Sequence, residues 1–304
     1  MKLKDLLKGI DVKNDFENVD VLDVTQDSRL VKDGSLFICI KGAAFDGHSV
    51  AKKMLESGAV AVVVDHDLGL DSQIIVEDSR AVYSHICANF FGNPAEKLKL
   101  IGLTGTNGKT TTTFLIKQIL ENVGKKVGLI GTVQNMVGDE IYPAKYTTPD
   151  PYELQKLFSL MVKANCEYCV MEVSSQALAQ GRVNGLRFTL GAFTNLTQDH
   201  LDYHKTWENY FNSKRKLFEN SDIAVTNADD EHGLKIIDGL NFERLLLMQL
   251  IQIMQHIPQK TLSLSQAVLN MKLFQMILSA DVFVQFRADF RFILSLRSNM
   301  CSCT

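Results

Sequence analysis

The segment Thr104-Gly105-Thr106-Asn107-Gly108-Lys109-Thr110-Thr111 sets two glycines, a lysine and a run of hydroxyls between a strand-like stretch, Leu100–Thr104, and a helix-like one, Lys109–Asn122. That arrangement has the chemistry of a nucleotide phosphate loop. Gly105 and Gly108 let backbone N–H groups close on phosphate, and the helix that follows adds the positive end of its dipole. Lys109 would neutralise the β/γ oxygens and the Thr110 hydroxyl would bind Mg²⁺, with Thr106, Asn107 and Thr111 completing the cradle. The pattern departs from GxxxxGK[ST] because Leu103 stands where the first glycine belongs. A chance glycine-rich turn is the bland alternative; the strand–loop–helix context favours ATP or GTP.

A triphosphate site needs a second metal anchor at the end of a neighbouring strand. Glu172 offers one, closing the apolar run Cys169-Val170-Met171 just before Val173-Ser174-Ser175. The next strand ends in Thr194-Asn195-Leu196-Thr197-Gln198-Asp199-His200-Leu201-Asp202-Tyr203-His204, which concentrates carboxylates and imidazoles where metal and substrate would meet. His200 is read as a metal ligand. Taken singly, these features also suit a solvated strand-end acid and an exposed histidine. Lys214 lies in a helix whose apolar positions 210, 211, 217 and 218 pack inward. Three adjacent cations, Lys214-Arg215-Lys216, ordinarily make a solvated face, and spacing alone gives Lys214 no role. Cys166-Glu167-Tyr168-Cys169 has redox or zinc spacing, but it sits in an apolar segment without a second ligand pair and reads as buried thiols.

These groups need a scaffold. The chain has 304 residues, 46% hydrophobic and 22% charged, which suits about two domains. A net charge of −3 supplies no field to hold nucleic acid or an anionic membrane. Charges interrupt the N-terminus before a signal peptide could form, and no apolar run approaches ~18 residues, so a cytoplasmic location is expected. Residues 1–97 alternate strand-like and helix-like pieces: a strand at Ser35–Ile40, a helix at 48–57 and a buried strand at Ala59–Val64. A helix through Tyr83–Phe90 is broken at Phe91-Gly92-Asn93-Pro94, a linker candidate. Beyond it, strands are expected at Leu100–Thr104, Val127–Ile130, Tyr168–Val173, Leu190–Asn195 and Ile223–Asn227, with helices at 109–122, 152–164 and 207–219. Such alternation predicts a parallel sheet covered by helices, with functional groups at the carboxyl ends of the strands.

Together these residues resemble the Mur ligase superfamily, from near residue 20 to about Phe242. The resemblance implies that the Thr110 hydroxyl binds Mg²⁺, with Glu172 on the first Mg²⁺ and His200 on the second. It also implies that Lys214 is carbamylated to help hold the metals, and that Lys109, Lys214 and His200 are the catalytic residues. Within the superfamily the pattern is closest to the MurE type, which adds the third amino acid, meso-diaminopimelate or L-lysine, to UDP-N-acetylmuramoyl-L-alanyl-D-glutamate. Thr25-Gln26-Asp27-Ser28-Arg29, Gly34-Ser35-Leu36-Phe37 and Lys41-Gly42-Ala43-Ala44-Phe45-Asp46-Gly47-His48 resemble its uridine-binding domain, which implies UDP contacts at Ser28, Ala43, Ala44 and Phe45. The usual Gly-His ahead of the Asp-Gly pair is replaced by Ala43-Ala44, tolerable if backbone atoms make the contacts. Thr147, Thr148, Ser174, Gln180 and Arg182 match contacts to the muramoyl peptide. The implied fold is α/β: an N-terminal UDP-binding domain (1–97) followed by an incomplete P-loop-type parallel-sheet ATPase domain (98–242). The implied partners are ATP, Mg²⁺, the UDP-N-acetylmuramoyl-dipeptide and an amino acid, with neither nucleic acid nor membrane, acting on a monomer. MurF, folylpolyglutamate synthase and a non-catalytic nucleotide-binding fragment are the alternatives.

Composition changes at Phe242. All 19 Gly and all 7 Tyr precede it, and the last 62 residues have neither. Reading across codon borders turns Met248-Gln249 and Met254-Gln255 each into alanine, and permitted codons then give a polar, strand-like continuation of the family pattern from Leu247 to Ser263. Residues 243–304 are therefore expected to be an aberrant, out-of-frame tail, and the polypeptide as written is expected to have little or no ligase activity.

Overall fold

In the computed structural model, which describes residues 1–42 and 45–248, the chain forms two sheets. The first contains β1 (Asp23–Thr25), β2 (Ser35–Ile38), β3 (Ala59–Val64) and β4 (Gln73–Ile75), all parallel and in sequence order. Helices cover both faces: α1 (Leu3–Leu6) and α3 (Ser79–Phe90) on one, α2 (Ala51–Glu56) on the other. The pleat decides which side chains go where. Leu36, Ile38, Ala61 and Val63 pack towards Leu3, Leu6, Tyr83 and Ile86, while Phe37, Cys39, Val62 and Val64 face Ala51 and Met54. With both faces buried, β3 reads as an unbroken apolar run. The helix expected at 48–57 divides into a 3-10 turn, Gly47–Val50, and α2.

Asp78 caps α3 by accepting the N–H groups of Arg80 (2.8 Å) and Ala81 (3.0 Å). After Phe90 the chain turns through Gly92 and Asn93, both left-handed, and Pro94 opens a short 3-10 turn that leads to the second sheet. The two units dock: the Tyr152 hydroxyl donates to the Asp23 carboxylate (2.9 Å), and the Ser84 hydroxyl to the Gly181 carbonyl (2.8 Å).

The second sheet comprises β5 (Lys99–Thr104), β6 (Val127–Ile130), β7 (Asn135–Val137), β8 (Glu140–Tyr142), β9 (Tyr168–Glu172), β10 (Phe188–Phe193), β11 (Ser221–Asn227) and β12 (Arg244–Met248). Their spatial order is β12-β11-β10-β5-β9-β6-β7-β8. Helix α4 (Lys109–Asn122) covers one face, placing Ile116 and Leu120 against Ile101, Leu103, Val170 and Leu190. On the other, α5 (Pro151–Lys163) and α8 (Trp207–Glu219) bring Phe158, Met161, Leu217 and Phe218 onto Leu100, Cys169, Met171 and Phe188. Two short helices, α6 (Ser175–Ala179) and α7 (Leu201–His204), follow strand ends near the site.

The fold is α/β, as expected, but the second sheet is mixed. It is parallel from β12 to β6, and β7 and β8 add an antiparallel hairpin closed by Gly138-Asp139. A Gly-Asp turn between short alternating segments is a hairpin signal, too brief here to stand out from a loop. At the opposite edge the sheet runs past Phe242: β12, from the stretch expected to be aberrant, pairs in parallel with β11. Pairing uses backbone groups, and an apolar run supplies inward side chains whatever its origin. Leu246 and Met248 join the core, while Leu245 and Leu247 stay exposed. The remainder of that stretch, 249–304, lies outside the described residues. Cys166 and Cys169 are buried free thiols, raised above the usual thiol range chiefly by burial.

Phe158 is wholly buried where α5 meets the sheet. Phe158→Ala is expected to lower unfolding stability by about 3–5 kcal/mol. The exposed neighbour change Lys156→Ala should cost less than about 0.5 kcal/mol. Urea midpoints measured on the two variants check the contrast.

Candidate active site

The phosphate loop leaves β5 at its carboxyl end and enters α4. Gly105 has φ +145°, and a Cβ there would lie 2.0 Å from Thr194 Oγ1, so only glycine fits. Gly108 (φ +84°) opens α4 from the left-handed region. The departure from the GxxxxGK[ST] pattern has a structural reason: Leu103 is wholly buried inside β5, and the chain turns at Gly105 instead. The segment after β10 holds the loop in shape. Asn195 Oδ1 accepts the Asn107 N–H (2.9 Å), the Thr194 hydroxyl donates to the Asn107 carbonyl (2.7 Å), and Thr106 Oγ1 accepts the Thr197 N–H (3.0 Å). Loop residues 106–110 line a cavity of about 500 Å³, which leaves room for a ligand beside the helix N-terminus.

Glu172, the last residue of β9, lies at the foot of that cavity and is 1% exposed. Its Oε2 accepts from the hydroxyls of Thr110 (3.0 Å) and Thr132 (3.0 Å), and its Oε1 from the Thr132 N–H (2.9 Å). Sequence reading missed Thr132. It follows β6, the strand beside β9, so its position at the carboxyl edge of the sheet was the available signal. The Thr148 hydroxyl donates to the Glu172 carbonyl (2.9 Å) and accepts the Ser174 N–H (3.0 Å), and Thr147 bonds Thr132 (3.0 Å). The Tyr-Thr-Thr and Glu-Val-Ser segments therefore form one wall.

Two lysines converge on one carbonyl. Lys109 Nζ donates to the carbonyls of Gly105 (3.0 Å) and Thr106 (3.0 Å), and Lys214 Nζ also donates to Gly105 (2.8 Å). Lys214 is 2% exposed, with its amine over the Tyr210 ring. Burial, with Lys109 reinforcing it, pushes the Lys214 amine down to about 7; burial also lowers Lys109. Lys214 thus faces the phosphate loop rather than solvent, whereas Arg215 turns to the carbonyls of Lys235 and Ile236 and Lys216 is exposed.

Gln180 and Arg182 form the opposite side. Gln180 Oε1 accepts two Arg182 N–H groups (3.0 and 2.7 Å), a third donates to the Thr148 carbonyl (2.7 Å), and the guanidinium lies over Tyr146. The Gln180 amide donates to the Tyr203 hydroxyl (3.1 Å). Gln180 and Arg182 also line a second cavity, of about 540 Å³, between the two sheets, whose wall mixes cations (Arg29, Arg80, Lys145) with carboxylates (Asp23, Asp27, Asp150). The two cavities therefore share a wall.

His200 lines the phosphate-loop cavity from a left-handed backbone position, with Asp199 3.3 Å from its ring. His204 instead is buried on Ser175 (2.9 Å). Thr111 is exposed in the first turn of α4 and does not line the cavity. Ser28 is half-buried between Asp27 and Arg29 of the second cavity, and Phe45 is exposed. Ala43 and Ala44 lie outside the described residues.

Residues 103–266 match the Mur ligase middle domain, and residues 21–96 match the Mur ligase family, catalytic domain. The chain is 48% identical over 245 residues to the UDP-N-acetylmuramoyl-L-alanyl-D-glutamate--2,6-diaminopimelate ligase of Clostridium perfringens, covering 79% of this chain and 51% of that protein. It is 43% identical over 254 residues to the protein of the same name in Parabacteroides distasonis, covering 81% and 52%. A solved structure of such a ligase superposes with a TM-score of 0.70 at 27% identity, over 82% of this chain and 52% of that one. MurF of Acinetobacter baumannii superposes with a TM-score of 0.54 at 17% identity, over 81% and 52%, a likeness of fold alone. The chain spans about half the length of the curated relatives it matches. With one family match covering more than half of its residues and a second covering the first sheet, the chain belongs to the Mur ligase family.

Proposed function

We propose that the chain carries the ATP-binding and UDP-substrate-binding parts of a MurE-type ligase acting in peptidoglycan precursor synthesis. The observation that carries this reading is Glu172, buried beneath the phosphate loop in a cavity whose far wall is the Gln180–Arg182 pair. The names of the relatives point to 2,6-diaminopimelate as the amine. A monomer in the cytoplasm is the setting we assign. Among the described residues, no helix is long and apolar enough to cross a membrane.

The triphosphate of ATP would lie on the N–H groups of residues 108–110 at the start of α4, since those of Thr106 and Asn107 are bonded to Asn195, with Lys109 exchanging its carbonyl partners for phosphate oxygens. Arg182, oriented by Gln180 and Tyr146, would hold the D-Glu end of UDP-N-acetylmuramoyl-L-alanyl-D-glutamate. In a complete ligase of this type the γ-phosphoryl group would pass to that carboxylate, giving an acyl phosphate, and the incoming amine would displace phosphate to form the amide; the chain as written we expect to have little or no such activity. Ser28, Ala43, Ala44 and Phe45 would contact the UDP moiety, and Thr147, Thr148 and Ser174 the muramoyl peptide.

The donors around Glu172 fit Mg²⁺, since a buried carboxylate and a hydroxyl are hard oxygen ligands and His200 shares their cavity. Thr110, Glu172, His200 and a carbamylated Lys214 would hold the ions. Bound there, Mg²⁺ supplies neutralisation of charge between two anions. An ordinary lysine is a cation at neutral pH and opposes metal binding; Lys214, lowered to about 7, offers a neutral amine that adds CO₂ and releases a proton. The 243–304 stretch we take to be out of frame, although the family match runs to residue 266 and β12 falls within it; an uninterrupted reading frame encoding it in several independent clones would defeat this reading.

Carbamylation requires the unprotonated amine, so its extent should rise as pH increases through about 7 and fall below it. With ¹³C-bicarbonate, NMR of the full chain should show a carbamate carbon that grows between pH 6 and 8 and is absent from Lys214→Arg. A signal unchanged by that substitution removes the assignment. Arg182→Lys, which abolishes the planar fork, should weaken binding of the UDP-dipeptide about tenfold by calorimetry. ATP affinity should stay within about twofold.

A further inference from the structure

A second group of metal-ligating side chains lies on the first sheet, away from any residue assigned above to ATP. Asp65 and His66 directly follow β3, and His48 sits in the 3-10 turn Gly47–Val50 after β2. The Asp46 carboxylate caps that turn, accepting the His48 N–H (3.0 Å), and the same oxygen lies 2.7 Å from His48 Nδ1. A contact so short places the proton on Nδ1 and leaves Nε2 as an acceptor. The Asp65 backbone N–H points at Nε2 (3.4 Å), which agrees with that tautomer. Yet Asp65 Oδ1 also faces Nε2, at 3.2 Å. Two acceptors held face to face on a nearly buried ring repel unless a cation lies between them.

A further ligand is in place. His66 Nδ1 is 2.5 Å from the same Asp65 oxygen, a contact that by the same rule carries a proton on Nδ1, which an incoming ion would displace; the two imidazole rings are 4.9 Å apart, and the ligand atoms of all three residues lie within 4.8 Å of one another. A tetrahedral ion bonded at ~2.0–2.1 Å spaces its ligands about 3.4 Å apart, so modest side-chain movement suffices. Asp46 occupies the place of the outer carboxylate that orients a metal-bound histidine. Two imidazoles and one carboxylate, without thiolate, suit a borderline ion rather than Mg²⁺ or Ca²⁺.

We propose that His48 Nε2, Asp65 and His66 Nδ1 form a site for one divalent transition-metal ion of the zinc class, with water completing its shell. Such an ion would tie the turn after residues 41–46 to the end of β3. The competing arrangement is an imidazolium between Asp46 and Asp65 with no metal.

Calorimetric titration of the full chain with Zn²⁺, in excess Mg²⁺, distinguishes them. One Zn²⁺ should bind, and His66→Ala and Asp65→Asn should each weaken it at least about tenfold, since losing an outer partner alone costs about that much. His66 is well exposed, so its loss leaves the fold intact, which circular dichroism verifies. His200→Ala should leave Zn²⁺ affinity unchanged. Co²⁺ in place of Zn²⁺ should give visible bands without a thiolate charge-transfer band. No Zn²⁺ binding, binding indifferent to His66→Ala and Asp65→Asn, or a thiolate band would each overturn the assignment.

Discussion

A carboxylate with almost no solvent contact at the end of an apolar strand is costly unless both its oxygens find donors or a cation. Glu172 meets that demand with the hydroxyls of Thr110 and Thr132 and one backbone N–H, contributed by the start of α4 and the end of β6. The order of the strands follows the same need. Because β9 lies between β5 and β6, the carboxyl ends of three neighbouring strands deliver the phosphate loop, the acid and the threonine to one point. Had β6 and β9 exchanged places, Glu172 would stand one strand farther from the phosphate loop, and Thr110 would not reach it.

The lysines express the complementary constraint. Lys109 and Lys214 are both held on the Gly105 carbonyl, and the buried amine responds by losing basicity. A buried acid beside two crowded amines suits the anion and divalent cations proposed for this site. On the far side, Arg182 is held by Gln180 and stacked on Tyr146, so its guanidinium is fixed before any substrate arrives. Preorganisation of this kind spares the ordering cost at binding.

Much of this was legible in the sequence, for physical reasons that differ by residue. The phosphate loop was readable because backbone closure on phosphate demands glycine at fixed positions. Glu172 stood out because it closes an apolar strand of the same alternating segment that carries the phosphate loop, where a second metal anchor would be needed. The buried strands β3 and β5 were plain from their continuous hydrophobicity, whereas β1, β4 and the β7–β8 hairpin were too short to impose a period. Lys214 could not be assigned from spacing, since Arg215 and Lys216 make the same stretch look solvated; only the packing of α8 turns one cation of the three inward. Thr132 offered only its place after β6 as a signal, because its partner Glu172 is distant in sequence.

The central claim is that Glu172 makes nucleotide binding depend on Mg²⁺. Titrating a non-hydrolysable ATP analogue into the full chain and into Glu172→Gln, with and without Mg²⁺, tests it directly. Glutamine keeps the shape and loses the charge. The account predicts that Mg²⁺ tightens binding to the wild-type chain, and that the variant loses most of that Mg²⁺ dependence. An unchanged Mg²⁺ dependence in Glu172→Gln would contradict it.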